Sequence, residues 1–123
     1  MKSTDAAWIG VDLDGTLAMY DEWRGPTHIG QPIPRMMDRV RVWLARGRNV
    51  KIVTARVAPN NECAEQGRAA IRAWLDRHGL SKLEITHGKD HKMIELWDDR
   101  AVQVIPNTGE RADGDEAKPM RQP

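Results

Sequence analysis

Two aspartates lie at the end of an apolar stretch near the beginning of the chain, in segment 9–17, IGVDLDGTL. An apolar run that ends in carboxylates, a glycine and a hydroxyl is typical of a buried strand followed by a turn. Asp12 and Asp14 are two residues apart, so on an extended chain their side chains share one face. Neighbouring carboxylates repel each other, and burying them requires a compensating positive charge. The pattern therefore indicates a site for a hard cation such as Mg2+, which prefers oxygen ligands.

Two other interpretations of this segment need to be weighed. A strand followed by an Asx-type turn, with both carboxylates solvated, fits the same residues. An EF-hand does not fit, because Gly15 follows Asp14 directly and no third acidic ligand stands between them. Gly15 allows a sharp turn in either case. The segment alone does not separate a solvated turn from a metal site, so the decision depends on residues further along the chain.

The composition describes a small domain without a strong charge bias. The chain has 123 residues, a net charge of +1 and 30% charged residues, which does not favour general attraction to nucleic acid or membranes. The lone Cys63 excludes a disulfide scaffold and favours a reducing compartment. We find no secretion-signal pattern and no apolar run near the ~20 residues that span a bilayer. A soluble, cytoplasmic domain is expected; the oligomeric state is not predicted.

Strand and helix patterns alternate along the chain. Strands are predicted over 7–12, 49–54, 83–86, 93–97 and 101–105, and helices over 34–46 and 62–78. Alternation of this kind predicts an α/β fold with right-handed crossovers and a mainly parallel sheet of about five strands, arranged as a Rossmann-like three-layer sandwich. We expect a domain over residues 1–106 and a polar tail over residues 107–123, whose composition cannot bury much surface.

Polar residues follow several of the predicted strands. In open parallel sheets, ligands bind at the carboxyl ends of the strands. The residues at those ends are Asp12, Asp14, Thr54, Arg56, Asp98 and Asp99. One site could therefore gather all of them.

The connection over residues 18–34 is long for a compact domain and rich in glycine and proline, which is typical of a functional or lid-like loop. It carries Tyr20, Trp23, Arg24 and His28, which could meet a substrate above the first strand. The alternative is that Trp23 only packs the loop against the domain.

The ordered set of an Asp-x-Asp-Gly-Thr-Leu strand end, a Thr at the next strand end, a downstream Lys and an Asp-Asp pair resembles the haloacid dehalogenase (HAD) superfamily of phosphohydrolases. These motifs lie between residues 12 and 100, which is most of the chain. The resemblance implies a HAD-like fold and a phosphatase that requires Mg2+. Superfamily members often carry a cap domain, but the segments 18–34 and 57–86 are too short for one. The chain therefore resembles the small capless type.

The resemblance assigns roles residue by residue. Asp12 matches the nucleophile that becomes an aspartyl-phosphate, and Asp14 matches the general acid and base. Thr54 matches the hydroxyl that hydrogen-bonds the phosphoryl group. Lys89 matches the lysine that bridges nucleophile and phosphate, with Lys92 as the alternative.

Substrate and metal ligands follow from the same resemblance. Arg56 stands where some members, including polynucleotide 3′-phosphatases, place an arginine that contacts phosphate. Gly15 and Thr16 are also predicted to contact substrate. The predicted ligands of Mg2+ are Asp12, the backbone carbonyl of Asp14, Asp98, and Asp99, the last directly or through water.

The leading hypothesis is a phosphatase for a phosphorylated small molecule, a nucleotide or a nucleic-acid end. The alternative is a phosphate-binding or regulatory module of the same fold without significant turnover. A dehalogenase is disfavoured because that reaction needs no metal, whereas transfer of the phosphoryl group to an acceptor other than water stays open.

Overall fold

The computed structural model describes residues 6–115 and residue 119. Four strands and two α-helices alternate in the first part of the chain. In chain order they are β1 (Trp8–Asp12), α1 (Pro34–Ala45), β2 (Asn49–Val53), a 3-10 turn (Ala55–Val57), α2 (Ala64–Arg77), β3 (Glu84–Thr86) and β4 (Met93–Trp97). The predicted α/β class is confirmed. The predicted second helix begins two residues later than expected, because the Asn61 side chain accepts the Cys63 backbone N–H at 2.9 Å and forms a turn there.

The strands form one parallel sheet in the order β3-β2-β1-β4. Asp12 is paired with Val53 of β2, and Val11 with Trp97 of β4. The residues that follow β1, β2 and β4 consequently leave the sheet at the same edge. This register places the predicted functional segments beside one another.

Both α-helices pack on one face of the sheet. The alternating residues Ile9 and Val11 of β1 and Val50 and Ile52 of β2 belong to one buried core. The helices contribute Met36, Met37, Val40, Ile71, Trp74 and Leu75 to that same core. Because both crossovers move in the same direction across the sheet, right-handed connections place both helices on this face.

The parallel α/β sheet is compatible with the predicted Rossmann-like sandwich, but it has four strands instead of about five, and both helices of residues 6–115 pack on one face of it. A helix on the opposite face would need a long crossover between β3 and β4. Only residues 87–92 connect these strands.

The segment 101–105, predicted as a fifth strand, joins no sheet among the described residues. Asp98 interrupts the extended chain after β4, because its Oδ1 accepts the backbone N–H groups of Arg100 at 2.6 Å and Ala101 at 3.1 Å. Residues 103–112 instead form a short hairpin with a bridge between Val104 and Arg111. The predicted tail, 107–123, is largely exposed up to residue 115, and residues 116–118 and 120–123 lie outside the described part.

The connections 18–33 and 54–83 contain no separate folded domain in the described structure, as expected for a capless protein. None of the helices over residues 6–115 combines the length and apolarity needed to cross a membrane.

Candidate metal and phosphoryl-transfer site

Three carboxylates converge at the edge of the sheet where β1 and β4 end. One carboxylate oxygen from each of Asp12, Asp98 and Asp99 lies within 4.8 Å of the others. Asp12 is the last residue of β1, while Asp98 and Asp99 follow β4, its hydrogen-bonded neighbour. Parallel pairing of β1 with β4 therefore creates this cluster from segments that are more than eighty residues apart.

The cluster changes the acidity of Asp12. Its pKa is raised from 3.8 to about 8, first by burial and then by the negative charge of Asp98, with Asp99 and Asp14 adding to the effect. Burial and neighbouring negative charges both disfavour an ionised carboxylate. Without a cation, Asp12 therefore keeps a proton at neutral pH.

A hard divalent cation fits this donor set. Three carboxylates supply the oxygen ligands that Mg2+ prefers, and a cation would replace the proton that burial and mutual repulsion otherwise retain on Asp12. The residues that would hold the ion are Asp12, Asp98 and Asp99. The ligand predicted from Asp14 is its backbone carbonyl, and its side chain lies outside this cluster.

The turn after β1 brings its backbone against the cluster. Gly15 has a φ of +86°, a conformation that residues with a Cβ rarely adopt, and a Cβ at this position would overlap the Asp99 carboxylate. The buried Thr16 directs its Oγ1 to Asp12 Oδ2 at 3.4 Å. Gly15 and Thr16, predicted to bind substrate, thus lie at the cluster, and both shape the surroundings of its carboxylates.

Asp14 is paired with Arg56. The Arg56 Nε and Nη2 groups donate to the two oxygens of Asp14, each at 2.8 Å. The guanidinium is nearly completely buried, and planar bidentate contacts of this kind are among the strongest charge-assisted hydrogen bonds. In this structure Arg56, predicted to contact phosphate, holds Asp14.

Thr54 occupies the predicted place at the end of β2. It is buried, and its Oγ1 accepts the backbone N–H of Arg56 at 3.2 Å, capping the 3-10 turn. This contact starts the turn that directs Arg56 toward Asp14.

The two candidate lysines lie in the connection between β3 and β4. The backbone C=O of Lys92 accepts the N–H of Trp8 at 2.9 Å, so Lys92 stands at the edge where β1 begins. Asp12 is four residues further along β1, about 13 Å away at the usual rise of a strand. Lys89 is exposed and three residues beyond Thr86, at the end of β3. Asp90, the residue after Lys89, accepts the indole N–H of Trp8 at 2.8 Å, so this part of the connection also lies where β1 begins.

Trp23 contacts the site through Arg56. The Arg56 Cζ lies 4.8 Å from the centroid of the Trp23 ring, so the guanidinium is stacked by the ring and held at its edge by Asp14. Sequence reasoning identified all three residues but missed the connection between them. No spacing could reveal it, because Arg56 is 42 residues from Asp14.

Comparison with known proteins gives a structural neighbour. No protein-family model matches the chain, and no curated protein matches it. The fold is similar to that of a conserved protein from Bacteroides thetaiotaomicron, with 25% sequence identity over 83% of each chain and a TM-score of 0.55. This similarity supports the α/β fold described above, which the two chains share over most of their lengths.

Replacing Arg56 by Ala should destabilise the protein by about 3 kcal/mol, because it removes one partner of a buried ion pair and leaves Asp14 without compensation. Urea unfolding measures this loss. In a double-mutant cycle, adding Asp14→Asn to Arg56→Ala should cost less than Asp14→Asn costs in the wild-type protein. Arg56→Lys is the matched control that keeps the charge but not the bidentate geometry. Additive effects of the two substitutions would contradict a coupled pair.

Proposed function

We propose that this protein is a HAD-like phosphatase that requires Mg2+ and hydrolyses a phosphomonoester through an aspartyl-phosphate on Asp12. The observation that carries the proposal is the cluster of Asp12, Asp98 and Asp99 at the carboxyl edge of a parallel sheet. Asp14, two residues beyond Asp12, is held in a fixed orientation by Arg56. A nucleophile, an acid and a cation site then adjoin one another.

In the first step, an oxygen of Asp12 attacks phosphorus and the bond from phosphorus to the leaving-group oxygen breaks. Asp14 gives its proton to that oxygen. In the second step, Asp14 takes a proton from water, whose oxygen attacks phosphorus and breaks the bond to Asp12. Bound Mg2+ would favour the ionised form of Asp12 and offset negative charge on the phosphoryl group.

Arg56 acts in this scheme as a positioning residue for Asp14. Both Asp14 oxygens accept hydrogen bonds from Arg56 in the structure, so one of these contacts gives way when Asp14 carries a proton. The released N–H group can then turn to a phosphate oxygen. Thr54 and Lys89 are proposed to bind the phosphoryl group, with Gly15 and Thr16 lining the site.

The lone Cys63 and the absence of a strong charge bias support a cytoplasmic enzyme acting on a phosphorylated small molecule or nucleotide. Neither feature defines the substrate more narrowly.

The direct test is phosphate release from p-nitrophenyl phosphate with excess Mg2+ and with EDTA. We expect turnover with Mg2+ and its loss with EDTA, restored by adding Mg2+ back. Absence of release from p-nitrophenyl phosphate and from a panel of phosphorylated metabolites, under conditions where Mg2+ raises the melting temperature, would contradict the phosphatase. That result would favour a phosphate-binding or regulatory module instead.

A further inference from the structure

The loop over residues 18–33, called the flap below, is anchored firmly at its base. The Met19 N–H donates to the C=O of Gln31 and the Ile33 N–H to that of Leu17, both at 2.8 Å. The indole N–H of Trp74, on α2, donates to the C=O of Gly30 at 3.0 Å. A Cβ on Gly30 would overlap the Met19 carbonyl, so the two sides of the base approach closely.

The tip of the flap is attached to the site through Arg56. Trp23 stacks on the Arg56 guanidinium, and Arg56 Nη1 donates to the C=O of Pro26 at 3.4 Å. Although Arg56 covers one face of its ring, Trp23 is 52% exposed. Arg56 thus contacts both the exposed ring of Trp23 and the carboxylate of Asp14.

The direction of the leaving group follows from the chain of contacts between Asp14 and the flap. A general acid must reach the leaving-group oxygen, so the leaving group departs on the Asp14 side of the phosphorus. On that side Asp14 touches Arg56, and Arg56 touches Trp23. A leaving group several atoms long that departs past Asp14 would come within reach of the Trp23 ring, which Arg56 links to Asp14.

We propose, on the basis of the phosphatase function above, that Trp23 is a stacking surface for the base of a nucleoside monophosphate. The flat, half-exposed ring suits a planar aromatic group, and base–aromatic stacking favours binding substantially. A sugar phosphate or a short acyl phosphate has no planar group to place there.

The charges of the flap favour a mononucleotide over the end of a nucleic acid. Asp21 and Glu22 precede Trp23, and Arg24, which follows it, pairs with both carboxylates, at 2.8 and 3.4 Å. Two carboxylates against one guanidinium leave this tip negative, so further phosphodiesters of a polynucleotide would be repelled. A nucleoside monophosphate carries only the phosphate that reacts.

The test compares phosphate release from adenosine 5′-monophosphate and from ribose 5-phosphate, which share the ribose and the ester but differ in the base. In the wild-type protein kcat/KM should favour the nucleotide by about 5- to 150-fold, as expected from the strength of base stacking. Trp23→Ala should reduce the ratio to about threefold or less, mainly by raising KM for the nucleotide. Trp23→Phe should keep most of the preference.

The comparison of two substrates separates stacking from general damage. Loss of the Trp23 cover over Arg56 affects both substrates alike and leaves their ratio unchanged. Met19→Ala, which removes another exposed apolar side chain from the flap, should also leave the ratio unchanged.

A wild-type ratio of the two kcat/KM values near one, or an unchanged ratio in Trp23→Ala, would overturn the stacking role of Trp23. In either case, turnover of ribose 5-phosphate would still support the proposed phosphatase function. A 3′-phosphorylated oligonucleotide that reacts better than adenosine 3′-monophosphate overturns the assignment to a mononucleotide. Loss of release from both sugar-containing substrates and from p-nitrophenyl phosphate overturns the proposed function itself.

Discussion

Asp12→Asn is expected to lower kcat for phosphate release by at least about 10⁴-fold, the size of effect seen when a covalent nucleophile is removed. An amide oxygen is a far weaker nucleophile than a carboxylate, although the two side chains have nearly the same shape. The measurement is steady-state hydrolysis of p-nitrophenyl phosphate at saturating Mg2+. Substrate binding should change less than kcat, because the rest of the site is retained.

The same variant has a second readout that does not depend on turnover. Asp12 is raised in pKa to about 8 by burial and by the charges of Asp98 and its neighbours. Replacing it with a neutral amide removes that repulsion, so metal-free Asp12→Asn should melt at a higher temperature than the wild-type protein above about pH 8. Asp38→Asn, an exposed position on α1, is the matched control and should leave both activity and stability nearly unchanged. Full turnover in Asp12→Asn excludes the covalent mechanism.

Stability of the metal-free protein should fall as the pH rises from about 4 to about 8. Asp12 has a pKa of about 8 in the folded state and an ordinary value of 3.8 when unfolded. Between these values the folded state holds a proton that the unfolded state has released, so raising the pH favours unfolding. The stabilisation is complete below about pH 4 and is lost as the pH passes through about 8. Thermal melts in EDTA across this range measure the trend.

Excess Mg2+ should reverse this loss. At a concentration of about one hundred times Kd, a ligand that binds only the folded state adds about 2.7 kcal/mol, which for a domain of this size raises Tm by roughly 10 °C. The rise should be larger at about pH 8.5 than at about pH 6, because Asp12, with a pKa of about 8, holds at the lower pH a proton that competes with the cation.

Asp98→Asn provides the control for both effects. The charge of Asp98 is the largest cause after burial of the raised pKa of Asp12, and its carboxylate belongs to the cluster. The variant should shift the pH dependence to lower pH and remove most of the rise in Tm with Mg2+. An equal rise in Asp98→Asn, or stability that increases with pH in EDTA, would contradict a metal site at these residues.

Local patterns sufficed to predict most of the elements. The apolar runs around Ile9 and Ile52 predicted β1 and β2, and Pro34 predicted the start of α1, because these features depend on residues close in sequence. The fifth strand failed for a different reason. Residues 101–105 have the apolar side chains of a strand, but a strand also needs a partner, and the Asp98 turn redirects the chain.

The candidate site also combines features that local patterns predicted with contacts that they did not. Alternation of strands and helices was enough to predict that Asp12 and Asp98 end strands of one parallel sheet, since all carboxyl ends of such a sheet share an edge. This alternation was not enough to predict that the Asp14 side chain pairs with Arg56 instead of joining the carboxylate cluster, or that Trp23 covers the guanidinium of Arg56.

The sequence by itself determined the types of most elements and the set of candidate site residues, because periodicity and motif are local properties. Only the tertiary structure decided which carboxylates cluster together and which one pairs with an arginine. Those pairings depend on side-chain directions and on approaches between distant segments, and neither quantity is encoded in spacing along the chain.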